Sequence, residues 1–224
     1  GAMGIYLFNI DALETLLAQK GFEDFGSHVI PHAINHYNVH GFDFDGFWED
    51  IGTIRSFYET NLLLTMPNSP FNMFDPDHPI YTHPRYLPGS AITNSHLENV
   101  LIAEGCCIEK ADIRHSIIGL RSQIGSGSRI EDSIIMGADY LQRENNLSKE
   151  DFVEIGIGEG ALIKGAIVDK NARIGRGVTI VPFPRGTDID GDNWYSRDGI
   201  VVIPKNAVIK NGTYIGPERK LPGS

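Results

Sequence analysis

The sequence predicts a mixed α/β protein in two parts, an α/β segment followed by a parallel β-helix built from hexapeptide repeats. Three observations predict this. Before about residue 66, apolar residues recur at helical spacing in three stretches. Between Met66 and Ser90 the composition turns proline-rich and the period is lost. From about residue 92, aliphatic residues recur every five or six positions, which neither a helix nor an ordinary strand produces.

In chain order, GIYLF (4–8) reads as a strand. Asp11 then reads as a helix cap, with Glu14 three residues later as in a capping box and Leu13, Leu16 and Leu17 on the apolar face. Gly21 is expected to end that helix. Ser27 opens a second helix, SHVIPHAINHY, with Val29, Ile30, Ala33, Ile34 and Tyr37 inward and Pro31 tolerated near its start. VHGFDF (39–44) reads as a strand. Thr53 caps a third helix, where Ile54, Phe57, Tyr58, Asn61 and Leu62 share a face.

The stretch MPNSPFNMFDPDHPIYTHPRYLPGS reads as an extended linker packed along a surface. The hexapeptide register then runs through Ile92, Leu97, Ile102, Ile108, Ile113, Ile118, Ile124, Ile130 and Ile135. It resumes at Ile157, Ile163, Val168, Ile174 and Ile180, and again at Ile203, Ile209 and Ile215. The aliphatic residue points into the coil, and the glycine or small polar residue that often follows it tolerates the corner. Two polar breaks, 136–154 and 181–199, are expected to be loops leaving the coil. The domain boundaries predicted are 1–66 for the α/β segment, 67–91 for the linker, 92–216 for the β-helix and 217–224 for a tail.

The 224 residues carry a formal net charge of −10, which argues against broad nucleic-acid or anionic-membrane binding. No apolar run reaches the roughly 18 residues needed to span a bilayer. The start lacks a basic n-region and a cleavage site, so no secretory signal is predicted. Gly1-Ala2-Met3 reads as the remnant of a removed purification tag, which makes the chain a candidate fragment. Cys106 and Cys107 are the two cysteines. Adjacent thiols rarely bridge, so both read as reduced and as small buried apolar residues in a reducing compartment.

Several groups are candidates for chemistry. Trp48-Glu49-Asp50 places carboxylates beside an indole, and Gly52 and a helix start follow. Such a carboxylate can hold Mg²⁺ facing a nucleotide, or can simply favour the positive helix terminus. His28, His32 and His36 are spaced for one helix face, where they read as a wet face rather than metal ligands. Asp188, Asp190 and Asp192 begin like a calcium loop, but Asn193 and Gly199 break the EF-hand template. His115 is the candidate general base of a hexapeptide acyltransferase, or a turn residue. Arg85, Arg114, Arg121, Lys170 and Lys205 are scattered cations that read as surface charge, unless the fold brings several together as a phosphate pocket.

The order of these pieces resembles the C-terminal half of ADP-glucose pyrophosphorylase. The matching stretches are MGIYLFN, FEDFGSHVIP, FWEDIGTIRSFYETNLLL, PIYTHPRYLPGS, IRHSIIGLRSQIGSGSRIEDSIIMGAD, IGIGEGALIKGAIVDKNARIG and DGIVVIPKNAVIKNGTYI. WEDIGT followed by PRYLP and then MGAD is specific where no single hexapeptide would be. The resemblance implies a segment of a doubly wound nucleotidyltransferase domain followed by a left-handed parallel β-helix.

It also implies a reaction, ATP and glucose 1-phosphate giving ADP-glucose and pyrophosphate for glycogen or starch synthesis. By the resemblance Asp50 is a catalytic carboxylate on Mg²⁺ and, with Trp48, part of the substrate site. Lys170 and Lys205 match lysines that bind phosphorylated effectors, and Arg85 matches an arginine linked to phosphate inhibition. The family assembles as homo- or hetero-tetramers, in the bacterial cytoplasm or in plant plastids. The family reads Ala-Ser-Met-Gly before IYxF, and here Ala2 stands at the serine. The Gly-rich loop, the first metal aspartate and the sugar-phosphate motif of the family are not in this sequence, so the chain alone is expected to lack pyrophosphorylase activity. A sister nucleotidyltransferase acting on another sugar phosphate, and a hexapeptide acyltransferase, are the alternative readings.

Overall fold

The computed structural model describes residues 3–141 and 152–218, and the chain divides into two compact units between Trp48 and Glu49. In the first unit, helix α1 spans Ile10–Leu17. Its cap is Asn9 rather than Asp11: Asn9 has extended backbone angles, and its side chain accepts the Asp11 N–H. Asp11 instead lies in the first turn, where its charge favours the positive helix end. The helix stops at Leu17, before Gly21, whose φ of 92° serves the turn beyond.

The second helix also starts earlier than Ser27. The Asp24 carboxylate accepts the Ser27 N–H at 2.6 Å, and a π-helical turn, Phe25–Val29, leads into α2, Ile30–His36. Leu16, Val29 and Ala33 are buried together, with Phe8 and Phe22 packed against them. The rest of the expected apolar faces is outside this small core, since Leu17 and Ile34 are exposed. Neither 4–8 nor 39–44 is a strand. Both have the composition of one, but a strand needs a neighbour to take its backbone hydrogen bonds, and the described residues offer these two none.

The second unit holds α3, Ile54–Leu63, and the β-helix. Thr53 caps α3 as expected: its Oγ1 accepts the Ser56 N–H at 3.0 Å, and Ser56 Oγ accepts the Thr53 N–H at 3.1 Å. Thr53→Ala should lower the stability of this unit by about 1 kcal/mol, read as a shift in the denaturant midpoint. No shift would mean that water satisfies that turn equally well.

Three walls of short parallel strands form the coils. On the first, Ala91–Thr93 pairs with Cys107–Glu109, followed by Gln123–Ile124, Gly156–Ile157, Arg173–Ile174 and Val208–Ile209. The second and third walls begin as the two halves of longer strands, His96–Ile102, Asp112–Ile118 and Arg129–Ile135. Each of those strands turns a corner at a residue of positive φ: Asn99, His115 and Asp132. The walls continue through Leu162–Lys164 and Ala166–Val168, with Gly165 at the corner between them.

The register stacks the predicted residues on one another. Ile113 lies beside Ile130, Ile130 beside Ile163, Ile163 beside Ile180 and Ile180 beside Ile215. Ile118, Ile135, Val168 and Ile203 stack the same way on the third wall. These side chains fill the coil interior.

The residue before each of these third-wall residues faces outward. Ile134, Ile167 and Val202 join Ile200 and Leu62 of α3 in a second buried cluster, with Ile54, Phe57, Tyr58 and Ile117 around them. The break 181–199 is more ordered than a loop. Ile189–Gly191 and Trp194–Arg197 form an antiparallel hairpin that continues the sheet into Ile200–Ile203. The break 136–154 is described only in part, because 142–151 lie outside the described residues. Both cysteines are free thiols, but only Cys106 is buried as expected; Cys107 is exposed, because in its strand it is Ile108 that turns into the coil. Among the described residues, no helix is long and apolar enough to cross a membrane.

Candidate functional site

One corner of the coil gathers charge. There Gly105, Arg121, Asn171 and Asn206 have positive φ. Backbone N–H groups at this corner bond from coil to coil: Gly105 N to Pro88 O, Arg121 N to Glu104 O, Ala138 N to Leu120 O, Asn171 N to Gly137 O and Asn206 N to Lys170 O. The repeated tripeptide Lys-Asn-Ala, at 170–172 and 205–207, therefore occupies equivalent positions on successive coils. Asparagine suits the left-handed turn, and the lysine before it is carried to the same edge each time.

The two lysines meet at Asp139. Lys170 Nζ lies 3.2 Å from Asp139 Oδ1, and Lys205 Nζ lies 2.7 Å from Asp139 Oδ2. Asn171 Nδ2 donates both to Asp139 Oδ2 at 3.1 Å and to Asn206 Oδ1 at 3.2 Å. Asn171 Oδ1 accepts the Asp139 N–H at 2.8 Å. Arg121 donates to the carbonyl of Ala138 at 3.2 Å. Hydrogen bonds from Lys205 and then Lys170 hold the Asp139 carboxyl far below the usual carboxylate range, and Asp139 in turn raises Lys205. All three side chains remain partly exposed, so these pairs organise the corner more than they stabilise the fold.

Of the cations picked out in the sequence, the structure brings Lys170 and Lys205 together, with Arg121 at the same corner. Arg85 is not among the groups that meet Asp139. It is exposed, and its guanidinium donates to His83 O at 3.0 Å. Arg114 pairs with Asp112. Asp139, Asn171 and Asn206 were missed by sequence reasoning. The signal that finds them is the duplicated Lys-Asn-Ala together with the acidic end of MGAD.

Trp48 is exposed at the end of the first unit. Asp50, near the start of the second, is also exposed, and its Oδ1 accepts the Gly52 N–H at 2.9 Å in a turn just before the Thr53 cap. Asp50 thus presents a hard oxygen donor on a fixed turn. Mg²⁺ is held by one or two carboxylates plus substrate phosphates, so this donor fits the ion as one ligand of a larger set. Among the described residues no cluster of three or more potential metal ligands occurs. Ala2, at the family's serine position, lies outside the described residues.

The other candidates have structural partners. His32 and His36 stack at 3.9 Å between ring centroids, and Phe22 meets His32 edge-on. Asp188 accepts the Asp198 N–H, Asp190 pairs with Arg197, and Asp192 accepts from Asn193, so the acidic run braces the hairpin. His115 Nδ1 lies 2.7 Å from Asp132 Oδ1. That pair borders a groove of about 640 Å³ beside α3, lined also by Tyr58, Leu62, Lys164 and Phe183. Tyr58 donates to Asp132 O at 2.5 Å, and burial followed by the Asp132 charge pushes its hydroxyl upward.

Two family comparisons agree with this arrangement. Residues 85–214 match the model of the GLGC left-handed parallel beta-helix domain, and residues 1–66 match the nucleotidyl transferase model. The first match spans the coils, their shared corner and the hairpin, and the second contains Trp48, Asp50 and α3. The chain belongs to the ADP-glucose pyrophosphorylase type of sugar-phosphate nucleotidyltransferases, and its coils are the left-handed β-helix domain of that family.

Proposed function

We propose that the chain is part of an enzyme that makes ADP-glucose and pyrophosphate from ATP and glucose 1-phosphate, and that its β-helix carries the site for phosphorylated effectors and phosphate. The observation that carries this reading is the convergence of Lys170 and Lys205, from successive coils, on a single carboxylate. Two ammonium groups on a rigid edge suit a phosphate, whose oxygens accept several charge-assisted hydrogen bonds.

On the catalytic side, Asp50 would be one protein ligand of Mg²⁺. The ion neutralises phosphate charge during in-line displacement. What the chain itself contributes is the turn that fixes Asp50 ahead of α3, with Trp48 offering an apolar surface for a sugar. Assembly as a homo- or hetero-tetramer belongs to the same proposal.

The test is ADP-glucose pyrophosphorolysis with Mg²⁺, by the chain alone and mixed with a separately expressed polypeptide carrying a Gly-rich pyrophosphorylase loop. Activity is expected only in the mixture and should be largely lost with Asp50→Asn. Activity that Asp50→Asn leaves intact would overturn the metal role. Turnover of another sugar nucleotide in preference would favour a sister nucleotidyltransferase.

A further inference from the structure

We propose that Asp139 is the resident anion of the Lys170–Lys205 site and sets its specificity: a phosphate dianion displaces the carboxylate, and a monoanion does not. This deepens the effector reading and rests on it.

The geometry is that of an occupied site. Each carboxylate oxygen meets a different lysine, at 3.2 and 2.7 Å, and Asn171 Nδ2 supplies a third donor. A phosphate seated there would call on the same three donors. The carboxylate can leave without unfolding the corner, because the Asp139 backbone is held separately by the bond from its N–H to Asn171 Oδ1. Its side chain is already partly exposed, so a rotation suffices. Hydrogen bonds from Lys205 and Lys170 hold its carboxyl well below the usual carboxylate range, so it stays ionised at neutral pH and an incoming ligand always competes with a charge.

The balance of charge gives the selectivity. The corner carries Lys170, Lys205 and Arg121 against Asp139 and Asp169, whose Oδ1 accepts the Lys170 N–H at 2.6 Å. With Asp139 in place these groups leave a small positive excess. A monoanion replacing the carboxylate restores that same balance and lacks the advantage of being tethered to the chain. A dianion neutralises the excess and brings more acceptor oxygens. Asp139 therefore raises the threshold for every anion, and only a doubly charged one gains enough to pass it.

The experiment is a calorimetric titration of the chain with inorganic phosphate, at a pH well above its second pKa, with and without competing acetate. Asp139→Asn keeps the size of the side chain and removes its charge. It should bind phosphate roughly tenfold more tightly than the native chain, the scale set by removing one like charge a few ångströms away in a wet site. Acetate should compete measurably against the variant and not against the native chain. Lys205→Gln should abolish binding in both backgrounds. If the native chain binds phosphate and Asp139→Asn binds it equally or more weakly, the carboxylate is no competitor and the inference fails while the anion site stands. If neither binds phosphate, the effector reading fails and the inference falls with it.

Discussion

Ile163→Ala is expected to lower the unfolding free energy by about 2–5 kcal/mol, the range for a buried isoleucine cut back to alanine. Ile163 is fully buried and lies in register between Ile130 on one side and Ile180 on the other. Its neighbours are held at strand spacing by their own ladders, so the coil cannot close around the missing carbons and a cavity remains. In a solenoid each coil leans mainly on the next, so the loss weakens both interfaces that this coil makes. Val208→Ala is the control. Val208 lies in a strand of the same β-helix but faces outward and is 40% exposed, and its truncation should cost well under 1 kcal/mol. Urea melts of both variants decide the matter. A shift for Ile163→Ala no larger than that of Val208→Ala would mean that the aliphatic stack is not the core.

That stack is legible in the sequence because the hexapeptide repeat writes it once per wall. Every aliphatic residue of the predicted register from Ile108 onward is buried where the coil interior requires it. What is not legible depends on partners elsewhere in the chain. The doublets Ile117-Ile118, Ile134-Ile135 and Ile167-Val168 show two buried faces, but only the position of α3 explains the outer one. GIYLF and VHGFDF have strand composition, and composition alone cannot supply a neighbouring strand. Asn9 takes the cap predicted for Asp11 because both residue types can cap, and the backbone conformation decides between them. At the candidate site, Lys170 and Lys205 can be named from the sequence by resemblance. Asp139 cannot, because it lies inside the polar break 136–154 and reaches the corner only once Ala138, Asn171 and Asn206 stack.

Gly137→Ala should be the most damaging single methyl addition near that corner, costing about 3 kcal/mol or more, since strained backbone and overpacking each cost roughly 1–3 kcal/mol. Gly137 has a φ of 83°, and a Cβ there would stand 2.0 Å from the carbonyl oxygen of Leu120 and 2.8 Å from the carbonyl carbon of Gly119. Both are backbone atoms of the neighbouring coil, so no side chain can swing aside to relieve the clash. The Gly137 carbonyl also accepts the Asn171 N–H at 3.0 Å, the bond that seats the Lys170 turn. Moving Gly137 to make room would therefore shift Asp139, two residues on, against Asn171 and Lys170. The variant should lose phosphate binding as well as stability. Gly212→Ala separates the two contributions. Its φ of 68° is also left-handed, but nothing lies within 4 Å of a Cβ there, so only the backbone cost of about 1–2 kcal/mol applies. Thermal melts and phosphate titrations of the pair provide the check. If Gly137→Ala is no less stable than Gly212→Ala, the coils are not packed as closely at this corner as their geometry requires.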